Sequence, residues 1–514
     1  MSQQNPTRSA WSRTDIALVV PLVVLGVVAR LWWGLGDDGI FHPDEIYQVI
    51  EPAHELIYGF GLHGWEWDVG GRNWTLPALM AALMGGLELM GLDHPDAYMP
   101  AVRGSVAALH AASGVGVYMI ARQYGARRLF CVLGAALFLF NPASIYLGYR
   151  PLSEVISTPL VVLGLAGALG ADRGRKAGRI WFVMALSLLG LSVLMRLQNA
   201  LFAVVALGAW RLGGKSERYQ SALKVLTVWA LLYGLIDWVT WGLPYQSAGS
   251  YLRFNLIMDA TTEYYGADSP LFYPAVFITS MKTGAILLMA LPLLAWRRAR
   301  TLVLCAVGFV VLHSLIPHKD LRFVIAALPL LAALAAVGLE VVSDGVATWS
   351  EGKLANTKRA AQLTAAAASL LVVGALAHGL WSISELTFDD LGQAQTLGVD
   401  PATSAFDHRG ELNRLLADLA ERPDVCGLYM PTQWVVGAGG HTYFHRDVPF
   451  FHQGNPPSEP TQFNYVVSDK PLAAPERDWQ PVQTGGDSTA YVSGRTECTP
   501  APDYQPRIYQ EVDE

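Results

Sequence analysis

The segment Phe41-His42-Pro43-Asp44-Glu45-Ile46-Tyr47-Gln48 sets two adjacent carboxylates just after the first long apolar run of a 514-residue chain. Charge at the mouth of a membrane segment is costly and is usually kept for a purpose. A carboxylate in that place can take a proton from a sugar hydroxyl at a membrane surface, which is general-base chemistry. A second set, Pro317-His318-Lys319-Asp320-Leu321-Arg322-Phe323, gathers basic side chains that suit a phosphate. Both have plainer readings. Pro43 can start a helix and leave Asp44 and Glu45 as its first-turn carboxylates. The basic residues can meet lipid headgroups.

Composition narrows the class of molecule. The chain is 52% hydrophobic and 15% charged, and its apolar runs are too long for a soluble core. A net charge of −7 gives no sign of nucleic-acid binding. Four cysteines do not make a disulfide scaffold. Cys131 and Cys305 lie in apolar runs as packing residues, whereas Cys426 and Cys498 can bridge if the C-terminal part is extracytoplasmic. The run from Ile16 to about Trp33, behind Arg8 and Arg13, reads as an uncleaved first span, because it is long and lacks an A-x-A site.

The elements that must position these residues follow from hydropathy and charge. Apolar runs fall near residues 15–34, 75–91, 100–121, 128–147, 152–171, 180–195, 197–212, 222–243, 272–295, 301–317, 321–340 and 361–382. If all twelve crossed the membrane, the basic clusters after residue 121 would face outside, against the positive-inside rule. The 75–91 run, with Pro77, Gly85, Gly86 and Glu88, therefore reads as interfacial or re-entrant. Eleven spans then place nineteen Lys and Arg on inner segments, against eight in or beside outer loops. Those nineteen include Arg8, Arg128, Arg173, Arg175, Arg300 and Lys353. The N-terminus is inside and the C-terminus outside. Runs 180–195 and 197–212 read as a tight hairpin that carries Arg196 at the outer surface, in preference to one long tilted helix that would bury it, because the clusters on either side are both basic.

With this topology the polar motifs converge on the outer face. The first outer loop, 35–74, holds the His-Pro-Asp-Glu segment, Glu51-Pro52-Ala53-His54, Trp65-Glu66-Trp67 and Arg72-Asn73. Arg150 and Arg196 cap the next outer turns, and the loop 244–271 is rich in aromatic residues. No P-loop and no strand–helix G-x-G-x-x-G is present to hold a nucleotide. His441 and His445 have i, i+4 spacing, but the residues around them read as a strand, which separates the rings too far for an easy chelate. Beyond about residue 385 the chain becomes rich in Pro, Asp and Gly, with short β-like runs at 426–430 and 463–468.

Taken together, His42 to His54, Gly59 to Trp67 and Arg72 to Pro77 closely resemble the first luminal loop of the dolichyl-phosphate-mannose-dependent mannosyltransferases of GPI and N-glycan assembly. These form glycosyltransferase family 22, with a GT-C fold. The resemblance continues at Asp237-x-x-x-Trp241, Tyr251-x-x-Phe254-Asn255, Tyr265-Gly266 and His318-Lys319-Asp320-Leu321-Arg322-Phe323, and it covers most of residues 15–340. Asn73 and Asp320 depart from it, where the eukaryotic enzymes usually have Ser and Glu.

The resemblance implies a polytopic α-helical membrane protein of GT-C type, with about eleven transmembrane helices and interfacial helices in the first outer loop. A transmembrane domain over 1–382 and a small extracytoplasmic α/β domain over 383–514 are expected. The implied reaction transfers mannose, or a similar hexose, from a polyprenyl-phosphate sugar to a lipid-linked glycan or glycolipid acceptor on the extracytoplasmic face. Because the leaving group is already a stable phosphate anion, the demand is for a base opposite it, with inversion. Asp44 takes that role and Glu45 supports it. His318, Lys319 and Arg322 meet the phosphate. His42, Gln48, Glu51, His54, Trp65, Glu66, Trp67, Arg72, Arg150, Arg196, Asp237, Asn255 and Tyr265 are expected to contact substrate. No metal or other cofactor is expected, since no D-x-D nucleotide-sugar site is present. The partners are the two lipid-linked substrates and membrane lipid, without nucleic acid. Modest size and short loops suggest a prokaryotic inner or plasma membrane.

Two other classes compete. A flippase for lipid-linked sugars would show inverted repeats with broken helices, and no clear repeat is legible. A membrane sensor would leave the His-Pro-Asp-Glu and His-Lys-Asp motifs unexplained.

Overall fold

The computed structural model describes residues 12–170, 176–258, 260–350, 357–432, 435–472 and 479–508. Four basic positions assigned to inner segments, Arg8, Arg173, Arg175 and Lys353, lie outside the described residues. The chain forms two compact units that do not follow chain order. One comprises Met1–Trp33, Ser105–Leu235 and Phe254–Thr403; the other comprises Gly34–Gly104, Ile236–Arg253 and Ser404–Glu514. The first outer loop thus folds with the C-terminal residues, while residues 383–403 belong to the larger, helical unit.

Among the described residues, seven helices are long and apolar enough to cross a membrane, and five shorter apolar helices accompany them. The helix Thr75–Glu88 has 14 residues and rises about 21 Å, short of the ~30 Å hydrocarbon layer.

Two breaks in the apolar runs matter for the site, and the first differs from the sequence expectation. The run 272–295, read as one span, breaks at Lys282 (φ 54°, ψ −140°) between helices Phe272–Met281 and Thr283–Leu294. A lysine in an apolar run needs a partner, and Lys282 Nζ lies 2.9 Å from Asp390 Oδ1. The runs 180–195 and 197–212 are separate helices, Lys176–Met195 and Ala200–Leu212, with the backbone extended at Arg196 between them. Arg196 sits at that break. It is buried in an ion pair with Glu154, because a buried guanidinium must find a carboxylate.

The second unit carries a five-stranded mixed sheet made of β1 (Leu428–Met430), β2 (Phe450–His452), β3 (Tyr465–Ser468), β4 (Gln480–Gly485) and β5 (Ser488–Val492). Its order is β2-β1-β3-β5-β4, with β1 parallel to β2 and β3, and β5 antiparallel to β3 and β4. Central β3 is buried along its length, which suits its run of Tyr, Val and Val. The two β-like runs read from the sequence are β1 and β3, and Cys426 and Cys498 form a disulfide beside them. The region of His441 is a short helix, Gly440–Tyr443, not a strand. The Glu51 carboxylate accepts the backbone N–H groups of His441 and Thr442 there, which draws the turn inward.

The loop that precedes the His-Pro-Asp-Glu segment is tied to the C-terminal part of the same unit. Asp38 pairs with Arg103 at 2.9 Å and with Arg414 at 3.0 Å, and its carbonyl accepts from Asn413. Ile40 donates to the His408 carbonyl at 3.0 Å.

Candidate active site

The His-Pro-Asp-Glu segment is a helix start. His42 is the N-cap and its Nδ1 accepts the Asp44 backbone N–H at 3.2 Å, with Pro43 in the first helical position. Glu45, at the third helical position, reaches back so that its Oε1 accepts the N–H of Phe41, the residue before the N-cap, at 2.6 Å. The helix runs on through a π-turn, Ile46–Ile50, into Glu51–Tyr58. Such turns often accompany functional sites.

Local folding thus separates the two neighbouring carboxylates. Glu45 is buried and occupied with the cap. The Asp44 side chain is 22% exposed, with Oδ1 3.3 Å from His42 Nδ1. A third carboxylate joins it. Glu66 Oε1 accepts from Gln48 Nε2 at 2.7 Å and lies 3.4 Å from Arg72 Nη2. Burial pushes the Glu66 carboxyl above its ordinary range; the Arg72 charge opposes this, and the Asp44 charge adds to it. Asp44, Glu66, Gln48 and Arg72 therefore form one electrostatic group, the kind of pairing found where proton transfer is arranged.

Aromatic residues line its surroundings in the same unit. Trp67 Nε1 donates to the Tyr47 carbonyl, and the Tyr47 hydroxyl donates to the carbonyls of Val435 and Ala438. Trp67, Trp74 and Trp241 share a cavity of about 170 Å³ with Glu55 and His63, whose side chains pair at 2.7 Å. Trp65 is half-buried at the start of its short helix.

Several residues expected to meet substrate are held by the chain itself. Glu51 is fully buried and accepts four hydrogen bonds, from the N–H groups of Leu62, His441 and Thr442 and from the Thr442 hydroxyl. Burial still pushes its carboxyl up to about 7. His54 Nδ1 bonds the Phe60 carbonyl and its Nε2 lies 2.7 Å from His445 Nδ1, so His445 pairs with another imidazole. Burial holds both rings toward the neutral form. Asp237 accepts from Asn73 Nδ2 at 2.8 Å and from the backbone and hydroxyl of Ser247.

The basic motif occupies the other unit and brings a carboxylate with it. Asp320 is the N-cap of the 3-10 turn Leu321–Ala327, and its Oδ2 lies 2.6 Å from Arg322 Nε. Glu154 Oε1 lies 2.7 Å from Arg196 Nη1 and 3.7 Å from Arg322 Nη1, so one carboxylate serves two guanidinia. Both guanidinia approach the Phe323 ring, at 5.2 Å and 5.3 Å. Lys319 Nζ donates to the carbonyls of Asp268 and Pro317, and burial lowers its pKa. The Tyr265 ring lies 5.4 Å from that of His318. Arg150 stands over the Tyr146 and Tyr149 rings, and Asn255 accepts from Thr261. Glu154 ends the polar stretch Tyr149-Arg150-Pro151-Leu152-Ser153-Glu154 that caps an outer turn, with no role of its own legible in the sequence. Its signal there was a lone carboxylate opening an otherwise apolar run, where only a partner justifies a charge. Among the described residues no group of three or more His, Cys, Asp or Glu could hold a metal ion.

Comparison with known proteins places these motifs. GPI mannosyltransferase 3 of Yarrowia lipolytica is 30% identical over 349 residues, which is 65% of this chain and 66% of the relative. The chain's matches span two thirds or less of the length of such curated relatives. The Yarrowia relative, like the mannosyltransferase APTG1 of Arabidopsis thaliana, is eukaryotic, so a prokaryotic source draws no support from them. Among solved structures, ArnT from Cupriavidus metallidurans bound to undecaprenyl phosphate superposes with a TM-score of 0.59 at 16% identity, over 95% of this chain and all of that one. Archaeal oligosaccharyltransferase AglB from Archaeoglobus fulgidus, in complex with an inhibitory peptide and a dolichol-phosphate, gives 0.57 at 12% identity, over 89% of this chain and 69% of that one. The fold is therefore of GT-C type. Residues 22–388, which carry nearly every motif described above, match one family over most of the chain. The chain belongs to the Alg9-like mannosyltransferase family.

Proposed function

We propose that this chain is a membrane mannosyltransferase that moves a mannose from a polyprenyl-phosphate donor to a lipid-linked glycan or glycolipid acceptor on the extracytoplasmic face, with inversion. The observation that carries the reading is the separation of Asp44 from its neighbour. Glu45 is consumed by the helix cap, whereas Asp44 keeps an accessible carboxylate beside Glu66. In the proposed reaction an Asp44 oxygen takes the proton of the acceptor hydroxyl. The acceptor oxygen, relieved of that proton, attacks the anomeric carbon, and the bond to the phosphate oxygen breaks on the opposite face. The phosphate leaves as an anion, and Lys319, His318 and Arg322 are the basic residues proposed to bind it. Glu66, with its raised pKa, holds Gln48 and Arg72 around the base.

Two findings on other proteins support the substrate class: ArnT carries undecaprenyl phosphate and AglB carries a dolichol-phosphate. The Cys426–Cys498 bridge supports an extracytoplasmic C-terminal part, since such bonds persist in oxidising compartments.

The test is Asp44→Asn in purified protein supplied with polyprenyl-phosphate mannose and a lipid-linked acceptor. Loss of about 10²–10⁴-fold in kcat is expected for removal of a general base. Transfer at the wild-type rate would end the assignment. Orientation is checked by cysteine labelling at Arg128→Cys and Arg300→Cys, both expected to react only from the cytoplasmic side.

A further inference from the structure

Within the larger unit, a cavity of about 200 Å³ lies between the loop 265–272 and the segment 389–396. It includes none of the residues assigned to the base or to the donor phosphate, and the segment 389–396 carries no motif of the family resemblance. Its lining is suited to one kind of ligand. Tyr265 and Phe272 offer aromatic faces, while Asp268, Asp389, Gln395 and Thr396 offer carboxylate, amide and hydroxyl groups. Rings that cover C–H faces, beside acceptors and donors for hydroxyls, are what a pyranose requires.

The far wall of this cavity is fastened in place. Lys282 breaks its helix with φ 54° and pairs with Asp390 at 2.9 Å, and the Thr279 hydroxyl donates to the Asp390 carbonyl at 2.7 Å. Gly392, with φ 68°, lies so close to Phe272 that a Cβ would stand 2.7 Å from the ring. A non-glycine residue held in that region of φ, as Lys282 is, persists only where its surroundings over-determine it. The near wall is tied to the basic motif. Lys319 Nζ donates to the Asp268 carbonyl at 2.8 Å, and the Asp268 N–H donates to the Pro317 carbonyl at 2.9 Å.

We infer that this cavity holds a hexopyranose of the acceptor glycan, one that is gripped while another hydroxyl of the acceptor reacts. This rests on the transferase reading above. A donor sugar is disfavoured because its anomeric carbon must meet the base, and no catalytic carboxylate lines the cavity. The shared Asp268 loop explains how a held acceptor would be coupled to the phosphate-binding residues.

The experiment compares full-length wild type with Asp389→Asn and Gln395→Ala. Each variant is expected to raise the acceptor KM at least about fivefold, leaving kcat and donor KM unchanged. An unchanged acceptor KM in both variants, or a rise confined to donor KM, overturns the inference. Saturation-transfer NMR with methyl α-mannopyranoside on the same proteins reads the cavity without catalysis. Transfer to the sugar in wild type that is lost in the variants supports the site; no transfer, or equal transfer in all three, overturns it. If wild type turns over no donor, the transferase reading fails alone and the NMR result still decides the cavity.

Discussion

Glu154 Oε1 lies 2.7 Å from Arg196 Nη1, with both side chains buried, and this pair closes a break between two apolar helices. Removing one partner of a buried pair leaves an uncompensated charge. Glu154→Ala is therefore expected to cost about 3–5 kcal/mol, read as a lower unfolding temperature in detergent. Glu154→Gln, which can still accept a hydrogen bond, should cost less.

Glu51 gives the second unit a pH signature. Its folded carboxyl stands at about 7 against an ordinary 4.5, so the folded state binds this proton more tightly than the unfolded one. The stability it contributes is fully present below 4.5 and is lost as pH rises through 7. Relative to Glu51→Gln, wild type should lose up to about 3 kcal/mol across that window. His54 and His441 act in the opposite sense. Burial lowers their pKa values, so they remove stability as pH falls below their ordinary 6.5. Melting curves of both proteins at several pH values separate the two effects.

Gly39 lies in the loop before the His-Pro-Asp-Glu segment, where it packs against Asp407 and His408 of the same unit. A Cβ there would stand 2.4 Å from the His408 backbone nitrogen, and neither backbone can yield without breaking the Ile40–His408 hydrogen bond. Gly39→Ala is expected to reduce transfer by an order of magnitude or more while Asp44 itself is untouched, since small displacements of catalytic groups can cost about 10²-fold. A turnover assay on folded, monodisperse protein checks this.

The Cys426–Cys498 bridge closes a long loop, with a sequence separation of 72. Its removal by Cys426→Ser with Cys498→Ser is expected to destabilise the sheet-bearing unit by about 4 kcal/mol, as loop entropy predicts. Thermal unfolding with and without reductant measures it, and wild type in reductant should approach the double variant.

Much of the candidate site was legible because its residue types contradict their surroundings. Charges beside apolar runs pointed to Asp44, Lys319 and Arg322, and Pro43 after His42 already spelled a helix start. The roles of Asp44 and Glu45 were harder to separate. Side by side in sequence, they differ only in that the third helical position turns back to the cap and the second does not. Glu51, His54 and Asp237 carry the same polar signature as substrate-binding residues, yet each is partnered inside the protein. A polar residue does not encode whether its partner is chain or ligand.

The sequence by itself determined the membrane class, the family motifs, the capped helix at Pro43 and strands β1 and β3, because local hydropathy, turn chemistry and residue type act over a few residues. Only the tertiary structure decided the pairing of Glu154 with Arg196, the break at Lys282 toward Asp390, and the joining of residues 34–104 with those from Ser404 onward in one unit. Buried charges take their partners from whatever the fold brings within about 4 Å, and those partners lie tens to hundreds of residues away along the chain.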